Sequence, residues 1–143
     1  MTKRLFYKNG VFIEKGKVHY FYDVLYMLEK GIAEVYDVNN NELHLNHFLE
    51  NETIKLRYAL YKYLKEKGYI VGAGLKYGGV FRVYEKIDEH SKWIIIPVKI
   101  NEKIEVYDFS AKNRVAHSTK KKIVYSVVHS DKIRFIEIEW IKL

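Results

Sequence analysis

Three side chains in this sequence could together move protons and stabilise negative charge. Tyr84 ends an apolar, β-branched run, and His90 follows six residues later in a short polar stretch. Lys121 lies further on, in the basic segment RVAHSTKKK. A phenol and an imidazole can transfer protons, and an ammonium can stabilise a phosphate that gains negative charge. If folding brings these groups together, they could act on a phosphate without a metal ion.

Taken singly, none of these residues predicts a site. Tyr84 is one of 13 tyrosines, and most tyrosines serve in packing. His90 could be an ordinary loop histidine, and Lys121 could belong to a solvated basic run. Their grouping therefore depends on the elements that position them and on the rest of the chain.

The charge balance favours an anionic partner. The chain has 143 residues, with 25 Lys and Arg against 18 Asp and Glu, which gives a net charge of +7. Positive charge attracts polyanions and tyrosine rings can stack on bases, so nucleic acid is the leading class of partner. The alternative is a basic surface around a core rich in aromatic residues.

The sequence predicts no metal and no cofactor. It contains no cysteine, which excludes disulfides, thiolate zinc sites and cysteine nucleophiles. His44 and His47 lie three residues apart, but a structural zinc site needs further ligands, so we interpret both as surface histidines. The segment from Val80 to Ile100 lacks the carboxylate cluster and acidic-x-lysine motif of a magnesium-dependent nuclease.

No apolar run approaches the roughly 20 residues of a membrane-spanning helix, and the N-terminal stretch lacks the apolar core of a signal peptide. We therefore expect a soluble, cytoplasmic protein with no membrane partner.

Residues 1–51 are predicted to form a small α+β lobe. Asn9-Gly10 separates two short apolar runs and is a strong hairpin signal, because both residues tolerate positive φ. Apolar residues at helical spacing predict a helix from Tyr22 to Lys30, which Gly31 would end, and a strand follows from Ile32 to Tyr36.

Residues 52–143 are predicted to form an α/β domain. A helix from Glu52 to Lys67 would end at Gly68. Two paired strands would follow in the tract YIVGAGLKYGGVFRVYE, and then a buried strand from Trp93 to Ile100. Pro97 inside this last strand predicts an edge position or a bulge, because proline cannot donate to the ladder.

The same domain should contain one more helix and two more strands. Asp108 or Ser110 could cap a helix that runs to His117, and Ile123 to Val128 reads as a buried strand. The last stretch, Ile133 to Leu143, alternates in places and could be an edge strand that extends a partner's sheet.

Three segments together resemble the archaeal tRNA-splicing endonucleases and the related catalytic subunits of the eukaryotic enzyme. These segments are GYIVGAGLKYGGVFRVYE, EHSKW and RVAHSTKKKIVYSVV, and the resemblance covers about the last 90 residues. It implies a restriction-endonuclease-like mixed sheet flanked by helices. It also implies that Tyr84, His90 and Lys121 form the catalytic triad. Arg114 matches an arginine that stacks on a flipped-out bulge base, with a phosphate contact or a salt bridge as the alternatives. Trp140 could form the other side of that sandwich, or serve in packing or an interface.

The resemblance implies metal-independent cleavage of precursor tRNA at the intron boundaries of a bulge-helix-bulge RNA. The ribose 2′-hydroxyl would attack the phosphate, with Tyr84 as the base, His90 as the acid and Lys121 as the electrostatic stabiliser. The products would be a 2′,3′-cyclic phosphate and a 5′-hydroxyl. Tyrosine is seldom ionised at neutral pH, so Tyr84 could be either the base or an orienting group.

The resemblance also bears on assembly. Relatives that self-assemble have an acidic loop where this chain has the tight turn HSDK, in which Asp131 is the one acidic residue. We therefore expect a separate, non-catalytic paralogous subunit and a two-plus-two heterotetramer. The alternatives are a non-catalytic RNA-binding subunit of the same assembly, or a general RNA-binding module.

Overall fold

The computed structural model of the chain describes residues 2–74, 80–85, 92–130, 132–139, 141 and 143. It divides into two compact units, Met1–Tyr58 and Ala59–Leu143. The division falls inside a helix that starts at Glu52. The predicted boundary between residues 51 and 52 stays a prediction.

The first unit is a five-stranded mixed sheet with two helices. The strands lie in the order β3-β2-β1-β4-β5, and the β1–β4 pair is parallel whereas the other pairs are antiparallel. The elements are β1 (Lys3–Lys8), β2 (Val11–Glu14), β3 (Lys17–His19), α1 (Phe21–Glu29), β4 (Ala33–Tyr36), β5 (Glu42–Leu43) and α2 (Leu45–Leu49).

Two predictions for this unit are confirmed. Asn9 and Gly10 have φ values of 52° and 80°, and they join β1 to β2 as a two-residue hairpin. The helix α1 ends before Gly31, whose φ of 74° is the left-handed conformation that a glycine adopts without steric cost. The sequence alone therefore determined both turns.

The second unit contains a second five-stranded mixed sheet. Its strands lie in the order β10-β9-β8-β7-β6, with β8 and β9 parallel and the other pairs antiparallel. The remaining elements are α3 (Glu52–Glu66), β6 (Ile70–Ala73), β7 (Phe81–Tyr84), β8 (Trp93–Lys99), α4 (Val106–Ser118), β9 (Lys122–His129) and β10 (Lys132–Ile138).

The helices α3 and α4 pack on opposite faces of this second sheet. Ile95 and Val124 line a cavity together with Leu64 of α3. Their neighbours along the strands, Ile96 and Tyr125, belong to a core cluster that contains Ala116 of α4. Successive side chains of a strand point to opposite faces, so this alternation explains why β8 is buried from Ile94 to Val98. The predicted α/β class, with a mixed sheet flanked by helices, is confirmed.

The edge position predicted for Pro97 is wrong, because β8 is the central strand of the sheet. The alternative, a bulge, stays a prediction on the β7 side. The pairing of β8 with β9 runs without a break past Pro97, which lies opposite Ser126. On the other side, the last described pair with β7 is Phe81 with Ile95, and the carbonyl of Ile95 accepts from Val80. The nitrogen of Pro97 faces β7, two residues beyond Ile95, the last residue of β8 that pairs with β7 in the described ladder. A proline therefore sits in a central strand without removing a hydrogen bond of the described ladder.

The start predicted for the helix after β8 is also wrong. The helix α4 begins at Val106, with Glu105 at the N-cap and no side-chain capping hydrogen bond. Asp108 lies in the first turn, where its carboxylate forms an ion pair with Lys112 at 2.9 Å instead of capping. The acidic side chain is favourable there because the helix dipole is positive at this end.

The terminal strand lies at the edge of the sheet, as predicted, but it ends at Ile138. Its extension by a partner stays a prediction. Within the described residues, no helix is both long enough and apolar enough to cross a membrane.

Candidate active site

Tyr84 is the last residue of β7 and is half-buried. Its neighbour Val83 lines the cavity on the α3 face, so strand alternation directs Tyr84 towards the face that carries α4. The ladder holds this residue from one side, because Tyr84 pairs with Ile70 of β6. The phenol therefore lies at the end of the sheet, on the α4 face.

Lys121 is held by the turn that ends α4. The backbone N–H of Lys121 donates to the carbonyl of Ala116 at 2.8 Å, and the N–H of Lys120 donates to His117 at 3.1 Å. Lys120 has a φ of 59°. These are the two hydrogen bonds and the left-handed residue of a Schellman motif. The motif reverses the chain directly into β9, so the end of the helix fixes the backbone of Lys121.

Lys92 links the strands that carry Tyr84 and Lys121. Its backbone N–H donates to the carbonyl of Val83 at 3.0 Å, and its carbonyl accepts from the N–H of Lys122 at 2.9 Å. Tyr84 follows Val83 and Lys121 precedes Lys122, so both lie at the same end of the sheet with one strand between them. Two strand spacings correspond to roughly 10 Å between their backbones, a gap that a tyrosine and a lysine can bridge around one phosphate.

A polar pocket of about 290 Å³ lies beside Lys121 on the α4 side. It is lined by Asn113, His117, Lys121, Lys122, Ile138 and Glu139. Lys121 and the imidazole of His117 can donate hydrogen bonds to an anion here, whereas the ammonium of Lys122 is engaged by carboxylates. Sequence reasoning missed His117, although it lies within the segment RVAHSTKKK, and missed Glu139, whose meeting with Lys122 depends on the pairing of β9 with β10.

A larger cavity of about 630 Å³ lies on the α3 face of the same sheet. Its lining is mostly apolar and includes the rings of Tyr69 and Trp93, which meet edge to face at 6.0 Å. It contains neither Tyr84 nor Lys121, and its one cationic side chain is Lys67. A phosphate fits the smaller pocket better, because Lys121 and His117 line it whereas the larger cavity is mostly apolar.

Lys122 is bound by carboxylates on the last strand. Its ammonium lies 2.7 Å from Glu139 and 3.8 Å from Glu137. The hydrogen bond with Lys122 lowers the pKa of Glu139, and the same hydrogen bond raises the pKa of Lys122. Both groups therefore stay charged at neutral pH. Glu137 also accepts a hydrogen bond from the indole of Trp93 at 3.1 Å.

Arg114 lies on the exposed side of α4. His117 follows three residues later, a spacing that makes the two side chains neighbours on the helix surface. Within the described part of the chain, no ion pair involves Arg114. Its side chain is exposed to solvent, three residues before His117, which lines the pocket.

The remaining predicted site residues, His90 and Trp140, lie outside the described residues, and so does Asp131 of the predicted tight turn. By sequence, His90 belongs to the connection between β7 and β8, two residues before Lys92. Trp140 follows Glu139 directly. Among the described residues, no three His, Asp or Glu side chains meet in a way that could hold a metal ion.

The whole net charge of the protein resides in the second unit. Residues 1–58 contain eight Lys and Arg and eight Asp and Glu, whereas residues 59–143 contain seventeen and ten. The unit with the pocket therefore carries the charge of +7, and the first unit is neutral. Long-range attraction of a polyanion would act on the second unit.

The fold and the site define a basic α/β domain with a tyrosine and a lysine at one end of a mixed sheet. Residues 54–135 match the family model described as tRNA intron endonuclease, catalytic C-terminal domain. The chain belongs to this family and is an endonuclease.

The chain is also similar to individual tRNA-splicing endonucleases. The chain is 42% identical to the tRNA-splicing endonuclease of Nanoarchaeum equitans, over 84% of this chain and 86% of that protein. It is 36% identical to the tRNA-splicing endonuclease of Pyrococcus abyssi, over 84% of this chain and 74% of that protein. The corresponding enzyme of Saccharolobus solfataricus is also 36% identical, over 83% of this chain and 70% of that protein.

Proposed function

We propose that this endonuclease cleaves precursor tRNA at the intron boundaries of a bulge-helix-bulge RNA, without a metal ion. The observation that carries the proposal is the common location of Tyr84 and Lys121, on one face and at one end of the second sheet. The substrate follows from the relatives, which are tRNA-splicing endonucleases, and from the positive charge of the second unit.

The proposed reaction is an intramolecular transesterification. Tyr84 removes the proton of the ribose 2′-hydroxyl, and the 2′-oxygen forms a bond to the phosphorus. The bond from phosphorus to the 5′-oxygen breaks, and His90 protonates the departing oxygen. Lys121 stabilises the charge on the phosphorane between these steps. The products are a 2′,3′-cyclic phosphate and a 5′-hydroxyl.

Arg114 and Trp140 are proposed to bind the RNA rather than to react with it. A guanidinium can stack on an unpaired base, and single-stranded bulges expose such bases. The exposure of Arg114, about one helical turn before His117 of the pocket, supports this role. The proposal therefore assigns base contacts to Arg114 and Trp140, and phosphate contact to Lys121.

The catalytic chain is proposed to act with a non-catalytic paralogous subunit in a two-plus-two heterotetramer. The strand β9 ends at His129 and β10 begins at Lys132, so only two residues connect them. A connection of this length has no room for an acidic loop that could dock into another subunit. We therefore assign that loop to the partner.

The first test is cleavage of an end-labelled, intron-containing precursor tRNA in excess EDTA, with the chain alone and with the candidate second subunit. Cleavage to cyclic-phosphate and 5′-hydroxyl ends supports the proposed reaction. Cleavage only with the second subunit also supports the heterotetramer, whereas cleavage by the chain alone refutes it. Loss of cleavage in EDTA under all conditions rejects metal independence, provided that added Mg²⁺ restores it.

A modified substrate tests the nucleophile. Precursor tRNA with a 2′-deoxyribose at one scissile position should remain uncut there and should still be cut at the other, unmodified boundary. The second boundary is the matched control for binding and folding of the RNA. Cleavage at the deoxy position would exclude the 2′-hydroxyl as the nucleophile.

Variants separate catalysis from binding. H90A should abolish cleavage and leave RNA binding within about twofold of the unmodified chain. If H90A cleaves normally, His90 is not the acid. If the unmodified chain binds the RNA but never cleaves it, even with a partner, the chain is the non-catalytic RNA-binding subunit instead.

A further inference from the structure

An ion pair lies at the end of the second sheet that carries the proposed phosphate site. Lys122 and Glu139 are cross-strand neighbours, because the preceding pair in the register is Ile123 with Ile138. The ammonium of Lys122 lies 2.7 Å from the carboxylate of Glu139. The carboxylate of Glu137, two residues earlier in the chain, lies 3.8 Å from the same ammonium. The first residue of β9 is thus tied to the end of β10.

Without its ion pair to Lys122, the carboxylate of Glu139 would oppose cleavage. Glu139 and Lys121 line the same pocket. A carboxylate within several ångströms of a phosphate repels it, and the repulsion grows as the phosphorane gains charge. An unpaired Glu139 would thus offset part of the stabilisation that Lys121 provides.

We propose that Lys122 is a positioning residue that neutralises Glu139, so that the phosphate beside Lys121 meets no net negative charge from this strand. Lys122 then supports cleavage without touching the RNA. This inference rests on the proposed function of Lys121. The mutual pKa shifts of the pair agree with it, since they keep both partners charged over the neutral range.

The geometry favours neutralisation over a direct phosphate contact by Lys122. Its ammonium is engaged by two carboxylates, and Glu137 is itself oriented by the indole N–H of Trp93 at 3.1 Å. An ammonium that left this arrangement for the RNA would leave both carboxylates without their cation, and Glu139 lines the proposed phosphate pocket. The repulsive energy makes that movement unfavourable.

The test is a charge-rescue experiment on the protein with its partner subunit, if cleavage requires one. K122M should reduce kcat/KM for cleavage by about tenfold, the effect of one unit charge several ångströms away at an effective dielectric of about 40. Adding E139Q to K122M should restore cleavage to within about threefold of the unmodified protein. K122R, which keeps the charge, should cleave normally.

The outcomes are distinct. If K122M/E139Q stays as impaired as K122M, Lys122 acts by contact with RNA or by local structure, and the inference is overturned. If K122M cleaves normally, neutralisation is unnecessary and the inference is also overturned. Thermal unfolding of each variant separates a loss of folding from a loss of charge, and K122Q replaces K122M if K122M does not fold.

RNA affinity provides a readout that does not depend on cleavage. K122M should bind precursor tRNA more weakly, K122M/E139Q should recover, and the difference should shrink at high salt, where charges are screened. If the unmodified protein does not cleave but these affinities follow the expected pattern, the proposed function fails while the neutralisation stands. If cleavage occurs and the rescue is absent, the neutralisation fails while the proposed function stands.

Discussion

The backbone N–H of Lys121 lies 2.8 Å from the carbonyl oxygen of Ala116, five residues earlier in the chain. Ala116 is fully buried in the core between α4 and the sheet. The proposed phosphate-binding lysine is thus tied by one hydrogen bond to the most buried part of its helix. This hydrogen bond fixes the backbone from which the Lys121 side chain extends, and a fixed starting point reduces the reorganisation that electrostatic catalysis must avoid.

Replacement of Lys121 should lower the cleavage rate more than replacement of its neighbour Lys120. K121A should lower the rate of precursor tRNA cleavage by about 10²- to 10³-fold, because it removes the charge that stabilises the phosphorane. K120N is the matched control: it also removes one positive charge, and asparagine tolerates the left-handed conformation at that position. Single-turnover cleavage assays measure both. Equal losses in the two variants would mean that general charge, not Lys121, matters.

Lys120 should be replaceable by glycine with a gain in stability. Three helices end in Schellman motifs, and the left-handed residues are Gly31, Gly68 and Lys120. K120G relieves the steric cost at φ 59° and should raise the free energy of unfolding by about 0.5–1 kcal/mol. The control is K55G, inside α3, which should lower it by about 1 kcal/mol. Urea unfolding monitored by circular dichroism measures both, and a loss of stability in K120G would contradict the assignment of this turn.

The hydroxyl of Tyr125 should be dispensable for folding. It is buried with no hydrogen-bond partner among the described residues, and burial raises the pKa of this phenol. Y125F removes an unsatisfied polar group and keeps the ring, so the free energy of unfolding should stay equal or rise by about 1 kcal/mol. Y125A should lower it by about 3–5 kcal/mol because it leaves a cavity. Chemical denaturation tests this, and a substantial loss in Y125F would indicate a hydrogen bond that holds the core.

Acid should selectively weaken the turn after β4. The backbone N–H of Asn41 at 2.9 Å, helped by that of Asn39 at 2.8 Å, holds the pKa of Asp37 below its ordinary range. A group with a depressed folded pKa contributes stability above its unfolded pKa of about 4, and that contribution is lost as pH falls through the folded value. D37N should therefore unfold at a lower urea concentration than the unmodified chain at pH 7. The difference between the two unfolding midpoints should narrow below about pH 4. A constant gap from pH 7 to pH 3 would contradict this account.

Local sequence patterns predicted the turns and the helix ends well. The positive φ that Asn9-Gly10 and the glycines after α1 and α3 tolerate is a property of these residues wherever they lie, so no tertiary information was needed. The same holds for the apolar run of β8. Pro97 misled because a proline limits hydrogen bonding on one side only, and the extent of the neighbouring strand decides which side is open.

The sequence by itself determined the residue types and their local setting: a tyrosine at a strand end, a lysine after a helix, and a basic second half. Only the tertiary structure decided that Tyr84 and Lys121 share one end of the sheet, because 36 residues separate them and the parallel register of β8 with β9 brings them together. It also decided that Glu139 meets Lys122. Long-range strand pairing depends on the sum of many weak contacts across the sheet, and no local pattern encodes that sum.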